Sequence, residues 1–166
     1  MESPPDDAYS RVTNPERFRP LHAFADAVVA ALFASYEIES VQEDISAPHR
    51  PLAVERSIRL VPAGGGMPVT IWWTAFPGLF VRYGELEPIP IPHCGCDACN
   101  DTAYGLFEEF HRDLWRVVNG VFQEWVADGN LFQGDEMAWS SRPLHAGEDA
   151  TPRRSDWKPW IPVSQW

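Results

Sequence analysis

Three sulfurs fall within six residues of this chain, in the segment Pro92-His93-Cys94-Gly95-Cys96-Asp97-Ala98-Cys99. Thiolates two and three residues apart on an irregular loop can converge on one cation, because Gly95 frees the backbone to turn between the first two. A borderline-soft ion such as zinc takes four tetrahedral ligands of sulfur or imidazole nitrogen. Cys94, Cys96 and Cys99 supply three, which makes zinc the candidate cofactor. His93 is adjacent and can be the fourth ligand where the loop folds back on itself. His22, on a separate helix, is a remote alternative, although a surface histidine paired one turn on with Asp26 is the plainer reading of it. His111 falls about ten residues into a second helix, ~15 Å from its start at ~1.5 Å per residue, which is too far from Cys99.

The same segment carries a second chemistry. Cys96-Asp97-Ala98-Cys99 has the C-x-x-C spacing of thiol redox proteins and precedes a helix, whose N-terminal dipole favours a thiolate. Against this, the βαβ context of a thioredoxin is missing, and Asp97 between the sulfurs opposes thiolate formation. Three free thiols packed at a loop–helix junction is the plainest alternative.

Elsewhere the chemistry is sparse. Glu108 and Glu109 are helix-surface residues by phase, and Gly64-Gly65-Gly66 lacks the lysine and the following helix of a phosphate loop, so it reads as a hairpin turn. No catalytic residue is assigned, and the reading leans away from an enzyme. Trp72, Trp73, Trp139, Trp157, Trp160 and Trp166 offer an alternative function, an aromatic surface for a protein partner.

The elements that position these residues follow from periodicity. After a polar tail over 1–12, expected to be disordered, Asn14-Pro15-Glu16 starts a helix whose apolar residues recur at three and four positions to about 36. A short strand is expected over 38–45, then a loop over 46–51. Leu52, Val54, Ile58 and Leu60 alternate with polar residues as a half-buried strand does. Residues 69–76 read as a central strand, Pro77-Gly78 as a tight turn, and 79–83 as its antiparallel return. Pro88, Pro90 and Pro92 make an extended segment that cannot donate a full ladder. A second helix is expected over 101–128, with Gly129 as its cap. A short strand over 137–140 and an extended, docked tail from Trp157 complete the chain. The expected architecture is α+β: an antiparallel meander of three or four strands with two long helices packed on one face, in one domain over 13–166.

Composition narrows the partners. With 13 basic against 24 acidic residues the formal charge is −11, which repels phosphate backbones and anionic membranes. Nucleic acid is therefore excluded as the expected partner. The opening residues lack the basic start of a secretory signal, and the most apolar stretch, 23–34, is short of a membrane span. Three clustered cysteines fit a reducing cytoplasm better than a disulfide framework.

Several segments together resemble a known family. Asn14-Pro15-Glu16-Arg17-Phe18 with Pro20-Leu21-His22, Thr74-Ala75-Phe76-Pro77-Gly78, the hexapeptide Cys94-Gly95-Cys96-Asp97-Ala98-Cys99 and Trp157-Lys158-Pro159-Trp160 look like the landmarks of a bacterial family classed as a domain of unknown function. The cysteine hexapeptide is the most specific of these. An acidic residue directly after the third cysteine belongs to that pattern, and Asn100 stands there instead. The resemblance carries no catalytic residue onto this chain; it implies a single-domain cytoplasmic bacterial protein.

Overall fold

Six consecutive buried residues, Val69–Thr74, mark the strand around which the fold is built. The computed structural model describes residues 4–42, 53–84, 87–135 and 139–164. Val69–Thr74 (β3) pairs antiparallel with Val54–Pro62 (β2) and Leu79–Tyr83 (β4). Ile38–Val41 (β1) and Ile89–Ile91 (β5) complete a five-stranded sheet in chain order. Successive side chains of a strand point to opposite faces, so Val69, Ile71 and Trp73 share a face with their partners Tyr83, Val81 and Leu79. On that face lie the helices Pro20–Ser35 (α1) and Ala103–Val118 (α2). Leu21, Ala25 and Leu32 from α1 join Leu106, Phe110, Leu114 and Val117 from α2 in one apolar core with it. Trp72, Thr70 and Phe80 point the other way and are buried as well.

The meander of three or four strands under two long helices is overturned by two antiparallel sheets and shorter helices. Each α-helix has 16 residues. The first begins at Pro20, after a separate 3₁₀ turn at Pro15–Phe18. The second ends at Val118, where Gly120 takes a φ of +68° and the Val121 N–H donates to the Arg116 carbonyl, the bond that closes a helix C-terminus. Beyond it, Gln123–Ala127 (β6) and Asn130–Gly134 (β7) form a hairpin. Asp128 and Gly129 both have positive φ, 48° and 70°, as a two-residue hairpin turn of the Asp-Gly type requires. Val121, Phe122 and Trp125 happen to continue the helical period, and that coincidence hid a strong turn signal. Trp139–Pro143 (β8) and Arg153–Arg154 (β9) complete a second sheet in the order β8-β7-β6-β9. It is tied to the rest through Arg116–Asp135 at 2.6 Å and Arg142–Glu87 at 3.0 Å.

The strand expected over 38–45 ends at Val41, and its residues from 43 on, the loop over 46–51, Leu52, Met137 and Trp166 lie outside the described residues. The run Pro15–Ser35 does reach the length and apolarity of a membrane span, at 21 residues and a mean hydropathy of 1.2. Here it contributes Phe18, Leu21, Ala25 and Leu32 to the core.

The tail from Trp157 is docked on three elements at once. Trp160 is 3% exposed; its indole N–H donates to the Met67 carbonyl at 3.1 Å and its backbone N–H to the Val118 carbonyl at 2.9 Å. Tyr36 meets the indole edge-on at 5.8 Å, and Val163 N–H donates to the Ser35 carbonyl. The triple-glycine loop is the seat of this tail as well as a turn. A Cβ on Gly66 would stand 2.7 Å from Trp160 Cδ1. Emptying such a site leaves a cavity the surroundings fill only in part. Trp160→Ala is expected to cost about 3–5 kcal/mol of unfolding free energy in urea titrations; a loss below ~1 kcal/mol would mean that the tail merely lies on the surface.

Candidate metal centre

The cysteine loop is shaped from below by the turn after β3. Gly78 lies so close to the end of β5 that a Cβ there would sit 2.6 Å from the Ile91 carbonyl oxygen. The Ile91–Pro92 peptide is cis, and the chain then turns at Gly95, whose φ is +77°. A Cβ on Gly95 would come within 3.1 Å of Phe76 and 3.2 Å of Pro92, so both backbone conformation and space demand glycine.

From above, the N-terminal segment clasps the loop. Residues 4–12, expected as a disordered tail, hold a 3₁₀ turn at Asp6–Tyr9 and accept two backbone hydrogen bonds from the loop. Asp97 N–H donates to the Arg11 carbonyl at 2.8 Å, and Ala98 N–H to the Ala8 carbonyl at 3.1 Å. The Asp97 carboxylate accepts from Thr13 N–H at 2.9 Å and Arg11 Nε at 3.0 Å. Arg17 donates to the carbonyls of Gly95 and Cys96, at 3.3 and 2.8 Å, and reaches that of Cys99 at 3.5 Å. One guanidinium therefore gathers three carbonyls on one side of the loop.

The sulfurs gather on one another. The three Sγ atoms lie within 4.8 Å of each other, and Cys96 Sγ is 3.4 Å from Cys99 Sγ. Cys96 is buried, Cys99 half-buried and Cys94 exposed. Among the described residues no other set of three His, Cys, Asp or Glu groups comes so close. A tetrahedron with ~2.3 Å zinc–sulfur bonds sets its sulfurs about 3.8 Å apart, so the three sulfurs, with one pair at 3.4 Å and none beyond 4.8 Å, stand within about 1 Å of that geometry. The group could hold a metal ion.

The thiols do not titrate alike. The Cys94 hydrogen bond, together with the Cys99 thiol and the nearby N–H dipoles of Cys99 and Ala98, brings Cys96 down to about 7 against the cost of its burial. Cys99 is pushed up to about 12, because its hydrogen bonds with Cys96 and Cys94 favour the protonated thiol, burial disfavours its anion, and a second anion there would face the first. Asp97 is held below the usual carboxylate range by the Thr13 N–H, with Arg11 assisting. Its charge is balanced by Arg11 and Arg17, and the objection that Asp97 opposes a neighbouring thiolate loses its force.

The histidines stand elsewhere. His93 is exposed and lines a small cavity with Tyr83, Phe110 and Asp113. His22 Nε2 donates to the Gly78 carbonyl at 3.0 Å, while its expected partner Asp26 pairs with Arg56. His111 packs on the Phe107 ring and faces α1. Thr102 caps α2, accepting from Gly105 N–H, so Cys99 lies three residues ahead of the helix. Arg11, Arg17 and Phe76 were not assigned to the cysteine loop from the sequence. Arg17 and Phe76 stand in motifs that carry the family resemblance, but nothing local in them indicates a loop far along the chain.

In metal-free protein, thiolate absorbance near 240 nm should show one group ionising near pH 7 and one that stays protonated well beyond pH 10. Cys96 is depressed below its unfolded value of ~8.5, so its ionisation adds stability above that pH, and the gain is lost as pH falls through about 7. Three thiols titrating together at the ordinary value would contradict this coupling.

No curated protein and no solved structure matches the chain. A family model matches residues 1–163, nearly the whole sequence, and with it the chain belongs to a family of unknown function (DUF6226).

Proposed function

We propose that Cys94, Cys96 and Cys99 ligate one zinc ion in a structural site, with His93 completing the tetrahedron by turning about its χ1 out of the cavity it lines. The observation that carries this reading is the convergence of three sulfurs, where a dithiol–disulfide couple needs two. The acidity of the Cys96 thiol, brought down to about 7, supports it further, because a thiolate ligand is then present before any metal arrives. A closed site would pin the exit of β5 to the entry of α2, with the N-terminal segment as its cover. Thiols kept reduced for metal suit the cytoplasm of a bacterium.

Protein purified without chelator should contain one equivalent of zinc. Cys99→Ser should lose it, and chelation should lower the melting temperature by several degrees. His93→Ala should keep the stoichiometry and weaken affinity by about tenfold or more; unchanged affinity would give the fourth position to water. Less than ~0.1 equivalent of any transition metal, with three native thiols titratable, would end the metal reading.

The 3.4 Å contact between Cys96 and Cys99 and their unequal acidity favour a second reading, a reversible disulfide between these two. Air-oxidised protein with one free thiol, at Cys94, would select it.

A further inference from the structure

The outward face of the second sheet carries a row of rings that the metal site does not use. Trp125 on β6 is paired with Phe132 on β7 and with Arg154 on β9, so all three point to the same side. Trp139 on β8 lies opposite Gly134, two residues along from Phe132, and shares that side. The Trp125 and Phe132 rings are parallel, with an interplanar angle of 1° and centroids 5.2 Å apart. Trp139 meets Phe132 edge-on at 5.4 Å, and the Arg154 guanidinium lies 5.6 Å from the Trp125 ring. Four strands thus present a continuous cation–aromatic ridge, and at its end Trp139 is 58% exposed. Glu124, Val126 and Leu131 point to the opposite, buried side.

We propose that this ridge binds a short proline-rich segment of a partner protein in the polyproline II conformation, with Arg154 receiving a carboxylate of that segment. Three observations choose this occupant. The first is ring orientation: Trp125 and Phe132 are stacked on each other, so their edges, with the Trp139 ring beside them, form a ribbed rather than a flat aromatic surface, which suits the ridged profile of a proline-rich helix. A sugar ring needs a flat aromatic face.

The second is charge. In a chain of net charge −11, the outward positions of β6, β7 and β8 hold Gln123, Asn130 and Ser141 and no Asp or Glu among the described residues. Arg154 makes no ion pair among them, and the two carboxylates that share its cavity, Asp135 and Asp156, are paired with Arg116 and Lys158. The face therefore complements one acidic group, while the chain as a whole repels a polyanion.

The third is size. Four strands at ~4.8 Å and five residues at ~3.3 Å give a face of roughly 300 Å². A stable interface between folded proteins takes about 800 Å² from each partner, so a second copy of this chain would rest mostly beyond the ridge. A polyproline helix rises ~3.1 Å per residue and crosses four strands in about six residues.

The test uses the full chain labelled with ¹⁵N and three labelled probes: decaproline, decaproline ending in glutamate, and a Gly-Ser decapeptide. With the glutamate probe, the indole N–H signals of Trp125 and Trp139 should shift and saturate below about 1 mM, a weak affinity in keeping with so small a site. The buried indole of Trp160 should not move and serves as the folding control. Trp139→Ala should weaken binding at least ~10-fold. Arg154→Gln should weaken the glutamate probe about 3- to 5-fold, as loss of an exposed ion pair does, and leave plain decaproline unchanged. No shift at 1 mM, equal binding of the Gly-Ser peptide, or a shift with cellohexaose in place of the proline probes would each overturn the proposal.

Discussion

The indole of Trp160 occupies the point where four parts of the chain meet: the end of α1, the glycine loop between β2 and β3, the end of α2 and the tail itself. An indole brings a large apolar area and one donor, and both are used here. Burial of a side chain of 150–250 Å² is worth about 4–6 kcal/mol at ~25 cal/mol per Å², and the donor costs nothing because the Met67 carbonyl accepts from it. The constraint runs outward from this contact. Gly66 must lack a side chain, Tyr36 must leave the helix in an extended conformation, and α2 must stop at Val118 so that its carbonyl can accept from the Trp160 N–H.

In the cysteine loop the same economy of groups serves chemistry. The cysteine loop has few backbone bonds of its own, and segments from Ala8 to Arg17 supply the rest. Arg17 draws the carbonyls to one side. The three sulfurs gather on one another, and this environment favours a thiolate at Cys96. Asp97, acidic and between two sulfurs, is turned to the clasp and neutralised by it. The N-terminal segment is therefore part of the site's electrostatics as well as its cover.

Much of this was legible from local pattern. The alternation over β2, the unbroken β-former run of β3, the Pro-Gly turn and the apolar stripe of α2 with Thr102 ahead of it are signals carried within a few residues. Local hydrogen bonding and side-chain periodicity determine such elements, and a sequence states them directly. The three cysteines were equally plain, because ligands on one short loop need no distant partner to be recognised. Reading failed where two local signals competed: at 119–129 the helical period of Val121, Phe122 and Trp125 masked Asn119-Gly120 as a helix stop and Asp128-Gly129 as a hairpin turn.

By itself, the sequence determined the sulfur cluster, the central strand, the two helical stripes and the net negative charge. Only the tertiary structure decided what surrounds them. Arg17 and Arg11 reach Asp97 and the cysteine carbonyls across some eighty residues, Trp160 crosses more than ninety to Met67, and His93 and His22 are drawn to other neighbours. The aromatic ridge likewise exists only once β6 to β9 are in register. Contacts at such separations depend on how whole elements pack, and no spacing within a segment encodes them.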